Sequence, residues 1–169
     1  MATSLEAGNT TGSGRRPLED ERRLRLVLDT NVVLDLVVFR DAGAEPLRAA
    51  VQVGQVTLLT SAECLAELRR VLAYPEFKRD PVGQAAAYDW YATRVEQVEP
   101  APLASVLPRC RDADDQKFLE IAWLTQADHL VTKDRALLEL ARRIENLGKF
   151  SVTHPDALAQ LLSAAADQP

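Results

Sequence analysis

Short branched apolar runs alternate along this chain with longer segments of helical period, after an opening stretch that has no period. The first run, Leu24-Arg25-Leu26-Val27-Leu28, reads as a buried strand, because near-continuous aliphatic residues suit a sheet covered on both faces. Asp29-Thr30-Asn31 ends it. Val32 to Phe39 is apolar except for Asp35 and predicts a helix, with a loop from Arg40 to Glu45. Pro46 suits a helix N-terminus, and Leu47 to Val53 continues that helix until Gly54 stops it. A second strand is predicted at Val56 to Leu59, leading into Ser61, a good N-cap for a helix over Ala62 to Leu72. Phe77 to Val98 predicts one or two helices around Tyr88, Trp90 and Tyr91. Pro100, Pro102 and Pro108 mark a connection with room for a short strand. Beyond it come a helix near Asp114 to Gln126, a strand at His129 to Thr132 and a helix at Ala136 to Arg143, then a strand at Phe150 to Thr153 and a terminal helix at Pro155 to Ala165. Strands alternating with helices place the chain in the α/β class, as a three-layer α/β/α sandwich around a mainly parallel sheet.

Composition narrows the setting. The 169 residues suit one domain, and 47% hydrophobic with 27% charged residues is the balance of an ordinary globular protein. Residues 1–22 hold three of the seven glycines with Ser, Thr and mixed charges, and predict a flexible N-terminal tail before a single domain over residues 23–165. No apolar run approaches the ~18 residues that cross a bilayer, and the opening stretch has no apolar core of a secretory signal, so the expectation is a cytoplasmic protein without a membrane partner. Cys64 and Cys110 stand far apart in no metal-ligand spacing, which predicts reduced thiols. With 20 Lys plus Arg against 25 Asp plus Glu, the net charge is −5, which at first weighs against a nucleic-acid partner.

The acidic residues themselves change that reading. Ligands of open parallel sheets collect beyond the carboxyl ends of the strands. Asp29 follows the first strand, and Asp134 lies two residues after Thr132. Alone, each reads equally as a turn residue or helix cap. Asp112 can cap the helix after the prolines, with Asp115 in a capping-box position. At 100° per residue, however, Asp115 falls in line with Phe118, Leu119 and Ala122, so its carboxylate is directed inward, where an unpaired charge is costly and calls for a cation. Asp114 and Glu120 lie away from that stripe. Glu67 flanks the apolar face of its helix beside Cys64 and Val71, while Glu63 faces solvent with Arg70. Asp29, Glu67, Asp115 and Asp134 together would make an all-oxygen cluster, which selects Mg²⁺ or Mn²⁺. Two such ions about 4 Å apart can drive in-line phosphodiester hydrolysis. These four acids also account for most of the negative balance, so the net charge describes a metal pocket as much as a surface.

Four segments in order then carry a resemblance: Leu26-Val27-Leu28-Asp29-Thr30-Asn31-Val32; Ser61 to Leu72 with Glu67; Arg111-Asp112-Ala113-Asp114-Asp115-Gln116-Lys117-Phe118-Leu119-Glu120-Ile121-Ala122; and Leu130-Val131-Thr132-Lys133-Asp134. From about Leu24 to Leu162 the chain resembles PIN-domain ribonucleases, and within them the VapC-like toxin components of toxin–antitoxin pairs. The resemblance implies a Mg²⁺- or Mn²⁺-dependent endoribonuclease that cuts single-stranded RNA, forms a homodimer and answers to a cognate antitoxin protein. It assigns the catalytic metal ligands to Asp29, Glu67, Asp115 and Asp134, with Asp112 as an additional ligand or outer acid. Thr30, Asn31 and Thr132 would orient carboxylates or waters. Arg111, Lys117, Lys133 and Arg135 would grip RNA, joined by Arg109 and, at the rim, Arg40 and Arg48. Asp35 and the lengthened loop from Arg40 to Pro46 depart from the branch.

Three other readings of the sequence compete. A phosphatase of the haloacid-dehalogenase type also places an Asp after its first strand, but needs a second Asp two residues on, where this chain has Asn31. A catalytically inactive PIN-like domain that binds metal or RNA is the alternative of a different class, as is a receiver-like acidic pocket. His129 and His154 sit beside strands and read as structural. Trp90, Tyr88 and Tyr91 read as helix packing or a dimer contact before base stacking.

Overall fold

Side chains alternate across each strand, and here both faces are apolar. A computed structural model describes residues 23–99, 101, 103 and 106–166. Its sheet consists of β1 (Leu24–Leu28), β2 (Val56–Thr60), β3 (Val95–Gln97), β4 (His129–Val131) and β5 (Ser151–Thr153), in the order β3-β2-β1-β4-β5. All four pairings are parallel. Leu26, Leu28, Leu58 and Val131 point into one core, while Val27, Leu59 and Leu130 point into a second on the opposite face. This period-two division produces three layers. The first face is covered by α1 (Thr30–Leu34), α2 (Glu45–Gln52), α3 (Ala62–Leu72), α4 (Pro81–Ala92) and α8 (Pro155–Ala166), and the second by α5 (Gln116–Leu124), α6 (Arg135–Leu138) and α7 (Ala141–Glu145). The α/β/α sandwich read from the sequence is therefore the fold, and its sheet is wholly parallel.

Local chemistry explains most element boundaries. Ser61 caps α3 by accepting from the Cys64 N–H at 3.3 Å, as its position predicts. Pro46 sits in the first turn of α2, and Gly54 follows it with φ of 73°. Both cysteines are free and buried. Among the described residues no helix is long and apolar enough to cross a membrane.

Four expectations need correction. The helix expected over Val32 to Phe39 starts earlier, at Thr30, and its second half, Asp35–Phe39, is a π-helix. The expected loop after it holds a short 3₁₀ turn, Ala42–Ala44. Phe77 to Val98 is helical only over α4, with a 3₁₀ turn at Pro75–Phe77 before it and β3 after it. That strand has three residues, two of them exposed at the sheet edge, so no alternation marks it in the sequence. The helix expected over Ala136 to Arg143 is two, α6 and α7, separated at Glu139 and Leu140. Leu137, Leu140 and Ile144 are all buried, so the three-and-four spacing runs straight through the break and hides it. The tail expected at residues 1–22, and Pro100 and Pro102, lie outside the described residues.

Candidate metal centre

β1 is the middle strand, with β2 on one side and β4 on the other, so the winding of the sheet reverses between β1 and β4. Open α/β sheets place ligands at such reversals. Asp29 follows β1 directly, and its N–H donates to the Val131 carbonyl of β4 at 3.0 Å. Its side chain is buried, with the residue only 3% exposed. One carboxylate oxygen, Oδ1, accepts from the Val32 N–H at 3.0 Å and caps α1; the other, Oδ2, accepts from the Thr132 hydroxyl. One oxygen of Asp29 therefore serves as the helix cap, while the other is held by Thr132.

Thr132, fully buried just beyond β4, ties the two strand ends together. While donating to Asp29, its Oγ1 accepts from the Asp134 N–H at 2.9 Å. Asp134 in turn accepts from the Leu137 N–H at 3.1 Å as the cap of α6. On the other flank the Thr30 hydroxyl donates to Glu67 Oε1 at 2.8 Å. The second oxygen of Glu67, Oε2, pairs with Lys117 Nζ, and Glu63 lies 3.9 Å from the same ammonium. Lys117 is a rim cation in the sequence-based reading. Its side chain is only 14% exposed, inside the acidic cluster. Asp112 caps the 3₁₀ turn Ala113–Asp115 by accepting from the Asp114 N–H at 3.0 Å, so it starts that turn instead of a capping box. The helix expected from near Asp114 begins at Gln116; Asp115 closes the 3₁₀ turn before it, half-buried as the residue that precedes α5, and its side chain makes no cap hydrogen bond.

The carboxylates act on one another. Burial is the largest influence on Asp115, and the neighbouring Asp112, Asp134, Asp29 and Glu67 add to it, pushing its carboxyl up to about 6. Burial also raises Asp29, against the Thr132 hydroxyl and the N–H groups of Val32, Asn31 and Lys133, which favour its charged form. Burial works against the charge of Lys117, yet Glu67, Cys64 and Glu63 hold it above its ordinary value. All five acids named from the sequence therefore share one electrostatic neighbourhood. Among the described residues, no three His, Cys, Asp or Glu side chains stand in ready-made ligand positions. The donor set nevertheless fits a hard divalent ion. Mg²⁺ keeps several waters and takes only one or two carboxylates, the rest of its shell coming from substrate phosphate.

The remaining candidates divide by position. Asn31 is exposed and shares a cavity of about 350 Å³ with Leu34, Asp35, Phe39, Lys133, Asp134 and Arg135. Lys133 pairs with Asp35 at 2.5 Å, and Arg135 with Glu139 at 3.1 Å. Arg111 lies 3.9 Å from Glu139 with its side chain 73% exposed. Arg48 is turned away from the rim: it donates to the Leu36 carbonyl at 2.5 Å and covers Trp90. Arg69 covers Tyr88, and Tyr91 is buried, so these aromatics serve packing. His129 bonds the Thr153 hydroxyl at 2.8 Å and His154 meets the Asp156 N–H at 3.3 Å, both structural contacts. The Asp35–Lys133 pair and the exposure of Phe39 were missed in the sequence. The one signal was an acid in the otherwise apolar run Val32 to Phe39.

A wholly parallel α/β/α sandwich with an acidic cluster at its winding reversal defines an α/β domain whose ligand crevice lies at its strand ends. The chain belongs to the PIN domain family, whose model matches residues 25–136. PIN domains are generally nucleases and typically use divalent metals, so this is a nuclease-type fold directed at nucleic acid. No curated protein matches the chain.

Proposed function

We propose that the protein is a Mg²⁺- or Mn²⁺-dependent endoribonuclease acting on single-stranded RNA, and that it serves as the VapC-like toxin of a toxin–antitoxin pair. The observation that carries the enzymatic reading is the linked chain Asp134, Thr132, Asp29, Thr30, Glu67, which ties the acids that follow β1 and β4 to Glu67 of α3, within the electrostatic reach of Asp115. Asp29, Glu67, Asp115 and Asp134 would hold the ions, with Asp112 beyond them. When bound, the ions supply Lewis acidity toward water and the scissile phosphate. Thr132 fixes the rotamer of Asp29, so its carboxylate meets an ion without reorganising. Thr30 and Lys117 restrain Glu67 in the same way. Single-domain organisation over residues 23–165, a homodimer and an antitoxin partner belong to this reading through the family resemblance.

The test is incubation of single-stranded RNA with the protein and Mg²⁺ or Mn²⁺. Cleavage is expected, and excess EDTA should abolish it. Attack by water, with no part for the ribose 2′ hydroxyl, leaves linear phosphate ends; 2′,3′-cyclic phosphates would contradict the mechanism. Absence of cleavage on varied RNAs, with metal binding retained, would favour the inactive binding domain. Thr132→Val keeps the shape but removes the donor to Asp29 and the acceptor for Asp134. A drop of roughly 10–100-fold in Mg²⁺ affinity or kcat is expected, the usual cost of losing a partner of a metal ligand. Thr132→Ser should recover most of it, and a Mg²⁺ titration distinguishes this from simple loss of stability.

A further inference from the structure

The π-helix Asp35–Phe39 continues α1 without a break and ends at Arg40, which is left-handed with φ of 48°. π-turns loosen the regular ladder and concentrate at functional sites. This one is braced from outside. Arg48 of α2 donates to the Leu36 carbonyl at 2.5 Å, and Arg79, just before α4, donates to the carbonyls of Val37 and Val38 at 3.4 and 3.0 Å. Two guanidinium groups thus hold a segment whose last residue, Phe39, is left 58% exposed. Phe39 meets Phe77 edge-on, with centroids 5.8 Å apart at 67°. A large ring held in water by charge-assisted bonds is a poor outcome for stability and a good one for stacking.

The same π-turn places Asp35 and Phe39 in the wall of a cavity of about 350 Å³ that Asn31 and Asp134 also border, a volume within the range of small-ligand sites. The Asp35 side chain is only 13% exposed, and Lys133 approaches one of its oxygens, Oδ2, at 2.5 Å. The carboxylate keeps further acceptor positions on Oδ1. A half-buried acid beside an ammonium presents acceptors next to a donor. Among the bases, guanine alone carries two adjacent donors, N1–H and the 2-amino group, beside an acceptor, O6. Adenine, cytosine and uracil each offer one donor on that edge. Single-stranded RNA is read in this manner, by stacking on an aromatic ring and bonding along the Watson–Crick edge. We infer that this cavity is a guanine subsite next to the scissile phosphate, with Phe39 stacking the base, Asp35 accepting from N1–H and the 2-amino group, and Lys133 donating to O6. Exposed Arg135 borders the same cavity and is placed for a neighbouring phosphate. The subsite rests on the endoribonuclease reading and gives it a sequence preference.

Two measurements test it. Uridine-rich single-stranded RNAs carrying one guanosine, adenosine or cytidine are cleaved with Mn²⁺. Cuts should cluster at a fixed distance from the guanosine, with kcat/KM about tenfold or more above the adenosine RNA, the discrimination a bidentate contact provides. In Asp35→Asn and in Phe39→Ala that ratio should fall toward one. Separately, titration of 5′-GMP in EDTA, followed by amide NMR, should shift Asn31, Asp35, Phe39 and Lys133, while 5′-UMP should not. Cleavage without base preference, or a preference untouched by both variants, would overturn the subsite and leave the nuclease intact. If no RNA is cut, the nuclease reading fails and the 5′-GMP titration decides alone: shifts at those residues sustain the pocket, and their absence refutes it.

Discussion

Asp29→Asn is expected to lower RNA cleavage in Mg²⁺ by more than about 100-fold, beyond the usual loss for a partner of a metal ligand, while the fold stays intact. The separation of effects follows from the two oxygens. Asparagine retains an oxygen for the Val32 N–H, and Asn and Asp are near-equal helix caps, so α1 keeps its start. What disappears is the charge of a residue 3% exposed at the end of the central strand, together with the oxygen that accepts from the Thr132 hydroxyl, which must turn to accept from the new amide. Circular dichroism and thermal melting should match the parent to within about 1 kcal/mol, the scale of a cap substitution. Cleavage within tenfold of the parent would remove Asp29 from the metal site.

Asp115→Asn should uncouple stability from activity more visibly. Its carboxyl is pushed up to about 6 by burial and four neighbouring acids, above its ordinary value of 3.8. A raised acid binds its proton more tightly folded than unfolded. Its contribution to stability is therefore fully present below about pH 4 and is lost as pH rises through 6. At pH 7.5 in EDTA the charged Asp115 works against the fold, and the asparagine variant should melt a few degrees higher. That advantage should vanish toward pH 4. Adding Mg²⁺ reverses the order, because the parent gains binding energy that the variant lacks. Cleavage by the variant should fall by more than about 100-fold, like Asp29→Asn. Melting curves across pH 4–8, with and without Mg²⁺, decide the matter; a parent more stable than the variant in EDTA at pH 7.5 would refute it.

The layers were legible because Leu26, Val27 and Leu28, like Leu58 and Leu59, are apolar on both faces, and only a covered parallel sheet has use for that pattern. The positions of Asp29 and Asp134 were legible because strand ends can be counted. The inward alignment of Asp115 with Phe118, Leu119 and Ala122 assumed a helix, whereas the residue closes a 3₁₀ turn and is half-buried before α5. What the sequence concealed depends on contacts distant along the chain. Lys117 looks like a surface lysine until α3 brings Glu67 to it. The π-turn has no local signature, since Arg48 and Arg79, which brace it, lie 12 and about 40 residues away. Edge strand β3 is too short for its period to register.

The order of strands in space has a consequence during synthesis. β1 leaves the ribosome first of the five yet lies in the middle of the sheet, and its partner β4 is made about a hundred residues later. The Thr132–Asp29 bond closes across 103 positions. Such distant pairing is slow to form and comes late. A nascent chain therefore carries Asp29 for most of its elongation without Thr132 or Asp134 to complete the cluster. Under the proposed endoribonuclease function, the strand order delays assembly of the four-acid cluster until Asp134 has been made.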